Sequence, residues 1–332
     1  MGTYIQKRLL LIIPILFIVT IITFVLMRLM PGDIIDAELA QLRDIGVPTE
    51  QIEKQRAALE KEYGLDVSIP VQYGRWLGVY PQADGNFSGI FQGDFGDSLV
   101  RKSPVIEDIA VRLPITLELS LISIIVGQIL GLGIGIFSAL KQDTWGDYIT
   151  RSFAIMFIAV PGFWLATMVI VFPSMWWGYM PPIIYTPFFE DPIRNLRMFI
   201  IPGLLLGMME SGGTMRMTRT MMLEELRQDY IRTAWSKGLR ERSVILRHAL
   251  RNALIPWVTG LGLILPGLIG GAVIIENIFL LPGMGRLFLS AVVDRDYTTA
   301  SSLLLIMGLL IMVGNLISDI AIGWMDPRIR YK

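Results

Sequence analysis

The sequence predicts an all-α membrane protein with six transmembrane helices, cytoplasmic N and C termini, and a small extracytoplasmic domain between helices 1 and 2. Three observations carry that prediction. Of 332 residues, 53% are hydrophobic and only 17% are charged. The apolar residues fall in long blocks rather than at amphipathic spacing, and blocks of about eighteen or more read as spanning helices. Lysine and arginine are also unevenly shared among the segments that join those blocks.

The first block, 9–30, follows Lys7 and Arg8 and resembles the start of a secretory signal. It is too long for a signal core, and no small-x-small cleavage site follows. At about 1.5 Å per residue it reaches roughly 33 Å, enough to cross a bilayer. It is therefore expected to remain as an uncleaved first span. Residues 31–114 are expected to form the extracytoplasmic domain, with Thr49 capping a helix that runs to Tyr63 and stops at Gly64. The stretch 80–97, rich in glycine and aromatics, predicts turns and short extended pieces.

The core occupies 115–332, with spans expected at 115–140, 153–172, 199–217, 254–275 and 302–324. Gly127, Gly131, Gly133 and Gly135 in the second span, and Gly260, Gly262, Gly267, Gly270 and Gly271 in the fifth, allow close backbone approach, so these two helices are expected to face neighbours. Gly207, Gly212 and Gly213 predict an irregular fourth span. With the N terminus inside, cytoplasmic segments hold Lys7, Arg8, Lys141, Arg151, Arg328, Arg330, Lys332 and eight further cations between spans four and five. The two short outer loops carry only Arg194, Arg197, Arg286 and Arg295. The positive-inside rule then places both termini in the cytoplasm.

Composition also excludes several chemistries. The net charge is zero, so nothing points to nucleic acid, and the chain has no cysteine and a single histidine, His248. Disulfides, thiolate sites, a cysteine nucleophile and a multi-histidine metal site are ruled out. No G-x-x-x-x-G-K-[ST], G-x-S-x-G or H-E-x-x-H occurs. Ionisable residues inside spans are functional candidates by default. Glu118 and Asp319 lie near span ends and read as solvated or capped, whereas Glu210, followed by Gly212, Gly213 and Thr214, is a pathway candidate. A proton- or sodium-coupled carrier centred on Glu210 is one function class this permits.

The segment 220–256 carries the strongest pattern. Met222, Leu226, Tyr230 and Ala234 recur at helical spacing over 220–236, and Gly238 stands where a left-handed helix cap is wanted. A second short helix then leads through Val244, Leu246 and Leu250 into the fifth span. Basic residues alternate with apolar ones around that glycine, which suggests a docking surface for a cytoplasmic partner.

This segment resembles the EAA loop of ABC importer permease subunits in the dipeptide/oligopeptide and nickel group. Its peptide-group form reads R-T-A-x-x-K-G-L and then H-A-x-x-N-x-x-x-P, and Arg232, Thr233, Ala234, Lys237, Gly238, Leu239, His248, Ala249, Asn252 and Pro256 fit it. Arg232 stands where the general motif has glutamate, as is usual for the peptide group. The resemblance extends along nearly the whole chain. It includes Arg8-Leu9-Leu10, Pro31-Gly32-Asp33, Tyr63-Gly64-Leu65-Asp66, Gly93-Asp94-Phe95-Gly96, Glu276-Asn277-Ile278-Phe279, Pro282-Gly283-Met284-Gly285 and Asp326-Pro327-Arg328. The long first loop is similar to that of the first permease type of the group.

The resemblance implies a type I ABC importer fold in the cytoplasmic membrane of a prokaryote. It implies a subunit without its own ATPase site, working with a second homologous permease, two ABC ATPase subunits and an extracytoplasmic solute-binding protein. ATP and Mg²⁺ would be used by the ATPases, with no cofactor or metal on this chain. Arg232, Thr233, Ala234, Lys237, Gly238, Leu239 and Arg240 would couple to an ATPase, with His248, Asn252 and Pro256 supporting the loop. Pro282, Gly283 and Gly285 would form a tight turn in an outer loop that receives substrate. A di- or oligopeptide is the implied cargo, with nickel complexes or oligosaccharides as alternatives.

Overall fold

The structure is a computed structural model that describes residues 2–29, 35, 39, 47–62 and 64–325. The motif residues Pro31-Gly32-Asp33, Tyr63 and Asp326-Pro327-Arg328, with the terminal cations Arg330 and Lys332, lie outside them. Every named element among the described residues is helical. In order these are α1 (Gly2–Leu29), α2 (Thr49–Glu62), α3 (Ile69–Leu77), α4 (Val105–Leu140), α5 (Trp145–Ala159), α6 (Gly162–Trp177) and α7 (Pro192–Leu226). They are followed by α8 (Asp229–Ser236), α9 (Leu250–Ile278), α10 (Met284–Val293) and α11 (Tyr297–Met325). Between α8 and α9 lie one helical turn, Glu241–Ser243, and a π-helical segment, Val244–Ala249.

By length and composition α4, α7 and residues 297–320 of α11 are long and apolar enough to cross a membrane. The expected third span is broken instead of straight: α5 and α6 meet at 98°. Val160 is extended (φ −81°, ψ 127°) and Pro161 opens α6. A proline disfavours helical backbone in the residue before it and donates no amide proton, so one helix ends and another starts there. If the bent pair counts as one span, four candidates result. The expected first and fifth spans fall on α1 and α9, whose apolar stretches among the described residues are 10–26 and 268–278.

The fourth span also departs from expectation. Gly207, Gly212 and Gly213 do not interrupt α7, which runs unbroken over 35 residues. Asp191 caps its start, Oδ1 accepting from the amides of Ile193 (3.1 Å) and Arg194 (3.0 Å). Gly207 and Gly212 serve packing, whereas a Cβ on Gly213 would meet nothing within 4 Å. A Cβ on Gly207 would lie 2.7 Å from the Ser123 carbonyl, and one on Gly212 2.8 Å from the Ala154 carbonyl. From α4, Gly127, Gly131 and Gly135 meet α7 in the same way, at the Gly207 carbonyl, Thr214 and Thr218. Spaced four apart, they form one stripe along α4 that lets two helix backbones approach closely. Gly133 and Gly270, off such seams, face open space.

The chain divides into two compact units. The first comprises 1–12, 114–286 and 310–332. Its main core packs Ile115 and Leu119 of α4, Ala166 of α6, Met198, Phe199, Leu205 and Leu206 of α7, and Leu268, Ala272 and Ile275 of α9. The second comprises 13–113 and 287–309. There Ile35, Leu39 and Ile52 form a small core, and Gly64 (φ +63°) ends the chain's turn after α2 as expected. Gly93 (φ +79°) and Gly96 (φ +75°) form turns that carry Phe95 to α11, where its carbonyl accepts from Ser302 Oγ at 3.2 Å.

Candidate functional site

The segment after α7 is built on an apolar anchor. α7 stops at Leu226, because Gln228 turns extended (φ −70°, ψ 148°) before α8 begins. The single helix expected over 220–236 is thus two helices with a corner between them. Across that corner, Ile231 and Ala234 of α8 bury against Met222 of α7 and Ala139 of α4. Val244, Ile245, Ala249 and Ala253 complete the cluster. Val244, Ile245 and Ala249 are buried here, Leu250 packs half-buried against them, and Leu246 is exposed. The wider π turn accounts for this, since its i→i+5 hydrogen bonds set Val244 and Ala249, five apart, on one face.

With that face buried, the other is left outside. Arg232, Thr233, Lys237, Gly238, Leu239 and Arg240 are all exposed, as is the indole of Trp235. Ala234 is the exception among the expected coupling residues, being part of the anchor. Gly238 adopts φ +72°, and a Cβ there would touch nothing within 4 Å. Its amide donates to the Trp235 carbonyl at 2.9 Å, and the Leu239 amide donates to the Ala234 carbonyl at 3.4 Å. This left-handed cap ends α8 and turns the chain back toward the membrane-type helices. Arg232 lies 3.7 Å from Asp229, but both side chains are highly exposed, so water screens the pair.

Asn252 Nδ2 donates to the Tyr230 hydroxyl at 2.9 Å, and that hydroxyl also donates to Glu225. The bond thus ties the start of α9 to α8 and the end of α7. Burial and the adjoining Glu225 carboxylate push the Tyr230 hydroxyl pKa up, so it keeps its proton throughout the physiological range. His248 is half-buried on the π segment and makes no side-chain hydrogen bond among the described residues. Pro256 lies within α9.

Elsewhere, Glu210 is half-buried on α7, its Cβ 3.5 Å from where a Cβ on Gly127 would stand. One turn on, Thr214 Oγ1 donates to Gln128 Oε1 at 3.3 Å, and Trp257 Nε1 donates to the same oxygen at 2.9 Å. The turn at 282–285 is organised by Glu276, a residue the sequence singled out only as part of a motif. Wholly buried, Glu276 accepts from Thr116 Oγ1 at 2.6 Å and from the Arg286 amide at 3.1 Å. Gly283 is required because a Cβ there would press on that carboxylate, and Gly285 because one there would lie 2.5 Å from Val273 Cα. The turn leads into α10 rather than into an extended loop.

Sequence reasoning also missed Asp296, which accepts from Ser98 Oγ, the Leu99 amide and Thr299 within the second unit. Its only signal was its position just before a long apolar run, where an N-terminal cap is favoured. An apolar cleft of about 590 Å³, lined by Ile170, Ile183, Ile184, Ile278 and Leu280, has Arg194 as its charged group. No cluster of metal-ligating side chains occurs among the described residues.

Comparison with known proteins agrees with this picture. A family model described as "Binding-protein-dependent transport system inner membrane component" matches residues 131–331. A model for the N-terminal part of such membrane components matches residues 1–120. A putative peptide transport system permease protein of Brucella abortus is 39% identical over 331 residues, covering all of both chains. The oligopeptide transport system permease protein AppB of Bacillus subtilis is 38% identical over 341 residues, again across both chains. The glutathione transport system permease protein GsiC of Pectobacterium atrosepticum is 35% identical over 332 residues, with full coverage of each.

Proposed function

The chain belongs to the family of binding-protein-dependent transport system inner membrane components, the permeases of ABC importers, and from that premise we propose that it forms half of a translocation pathway for di- or oligopeptides. The other half is a second homologous permease. An extracytoplasmic solute-binding protein delivers the peptide, and two ABC ATPases hydrolyse ATP with Mg²⁺ on the cytoplasmic side. In this reading the chain crosses the inner membrane of a prokaryote six times with both termini inside, and 31–114 lies outside. The peptide cargo is favoured over nickel complexes or oligosaccharides by the relatives, which are named as peptide, oligopeptide and glutathione permeases.

The observation that carries the proposal is the construction of the α8 tip. One face is anchored through Ile231 and Ala234, while Arg232, Lys237, Leu239 and Arg240 stand exposed around an uncrowded Gly238. A mixed basic and apolar surface on a firmly seated short helix suits a cleft on an ATPase. Closure of the two ATPases presses on α8, and the helices joined to it shift between inward- and outward-facing arrangements. His248, Asn252 and Pro256 support the loop, Glu210 faces the pathway, and Pro282, Gly283 and Gly285 shape the outer turn that meets the binding protein. Membrane lipid surrounds the spans.

The test is Gly238→Arg in the reconstituted complex. It should leave the chain inserted, since nothing crowds the position, yet abolish ATP-driven peptide uptake. Normal uptake by that variant would refute the coupling role, and uptake that needs an ion gradient but no ATPase would refute the importer itself.

A further inference from the structure

At the end of the first unit where α4 stops, a carboxylate is buried that neither the α8 tip nor the pathway accounts for. Asp147, in the first turn of α5, is 0% exposed. Arg219 of α7 grips it at two points, Nη2 to Oδ2 at 2.9 Å and Nε to Oδ1 at 3.1 Å. Ser138, also wholly buried at the end of α4, donates to Asp147 Oδ1 and accepts from Arg219 Nε at 3.0 Å. The Asp143 amide donates to Oδ2 at 3.1 Å, and Arg151 stands 3.9 Å away. Three helices, α4, α5 and α7, thus meet on one carboxylate whose both oxygens are bonded.

Burying two charges adds little net stability, because desolvation offsets most of the attraction, and apolar side chains could hold the helices together as well. What a two-point guanidinium–carboxylate bond adds is fixed direction. Ridges of apolar side chains can slide past one another, as packed helices do in shear motions, whereas a fork bonded at both oxygens resists sliding. Its place is also specific. Arg219 lies one turn before Met222, and Met222 with Ala139, next to Ser138, forms the seat of α8. From Asp147, α5 runs to the 98° break and on into α6.

We propose that the Asp147–Arg219 bond is a rigid transmission link, which locks α5 to α7 so that a displacement of α8 moves the broken helix pair α5–α6 as well. The proposal rests on the importer reading above, with Asp147 and Arg219 as positioning residues that touch no substrate. Without the link, the ATPases still press on α8 and still turn over, but the motion reaches α7 alone and the pathway fails to switch.

The experiment uses the complete complex in proteoliposomes, with the chain carrying Asp147→Asn or Arg219→Lys, and measures peptide delivered per ATP hydrolysed. In assembled Asp147→Asn complexes, hydrolysis stimulated by the loaded binding protein should stay within about twofold of normal while peptide per ATP falls about tenfold, a coupling loss of ordinary size. Arg219→Lys keeps the charge but not the fork and should fall between. A merely structural role would lower hydrolysis and uptake together, or lower assembly, without changing the ratio. Either that pattern or an unchanged ratio in both variants, with normal wild-type uptake, overturns the link alone. Failure of the wild-type complex to take up peptide with ATP would sink the importer reading and this proposal with it. A second measurement does not depend on the variants. The chain has no native cysteine, so labels at Trp145→Cys and Thr220→Cys report the α5–α7 separation directly. That separation should hold within about 2 Å between nucleotide-free and ATP-bound complexes, and a larger change overturns the link.

Discussion

The α4–α7 seam and the α8 tip both depend on glycine, in environments that share almost nothing. A Cβ on Gly131 would lie 2.6 Å from Thr214 Cβ and 2.9 Å from the Ser211 carbonyl, so the seam needs glycine for what it lacks. Around Gly238 there is open space, and glycine is needed for φ +72°. The charges differ in the same way. Where α4 stops, Asp147 is wholly buried with both carboxylate oxygens bonded by a half-buried Arg219, whereas Arg232 and Lys237 at the tip stand in solvent. One region is finished within the chain. The other is left open to solvent, as the proposed docking of an ATPase requires.

That contrast can be broken in order of expected effect. Arg219→Ala leaves the buried Asp147 carboxylate with only the distant Arg151, at 3.9 Å, as a counter-charge and should cost about 3 kcal/mol, read as a fall in thermal unfolding temperature and in membrane yield. Near-normal stability would mean the site is wetter than its geometry indicates. Gly131→Val should cost about 1–3 kcal/mol through overpacking at the α4–α7 crossing, measured in the same thermal assay. For Gly238→Ala the penalty is the left-handed backbone alone, about 1 kcal/mol, so yield should hold and any loss of uptake would come from the redirected tip. Arg232→Ala should leave the unfolding temperature unmoved, since its pair with Asp229 is exposed, while weakening association with the ATPase in a salt-dependent manner. A stability loss there as large as at Gly131 would erase the distinction between the two regions.

Parts of this were legible because they are local. The capping role of Gly238 follows from its place after a helical repeat, and the close-packing use of Gly127, Gly131 and Gly135 follows from four-residue spacing in an apolar helix. The α5–α6 break was legible in principle at Pro161, but the apolar block 153–172 runs across it without interruption in composition. Gly212 and Gly213 misled in the opposite direction. Glycine lowers helix propensity, yet α7 runs unbroken through both, with Gly212 packed against α5. The buried set Val244, Ile245 and Ala249 carries no such local mark, because a π turn does not follow the 3.6-residue period of an ordinary helix.

Composition, block length and the ordered motifs by themselves determined that this is a helical membrane permease and singled out 220–256 as the segment proposed to dock. These are properties of short windows, set by transfer free energy and by backbone preferences that each residue carries with it. Tertiary structure alone decided that Asp147 meets Arg219 and Ser138, that Glu276 holds the 282–285 turn, and that Asp296 fastens residues 98–99 to α11. The pairing of a buried charge depends on which partner packing brings within hydrogen-bond reach. Residues 72 positions apart, as Asp147 and Arg219 are, carry no local mark of that meeting.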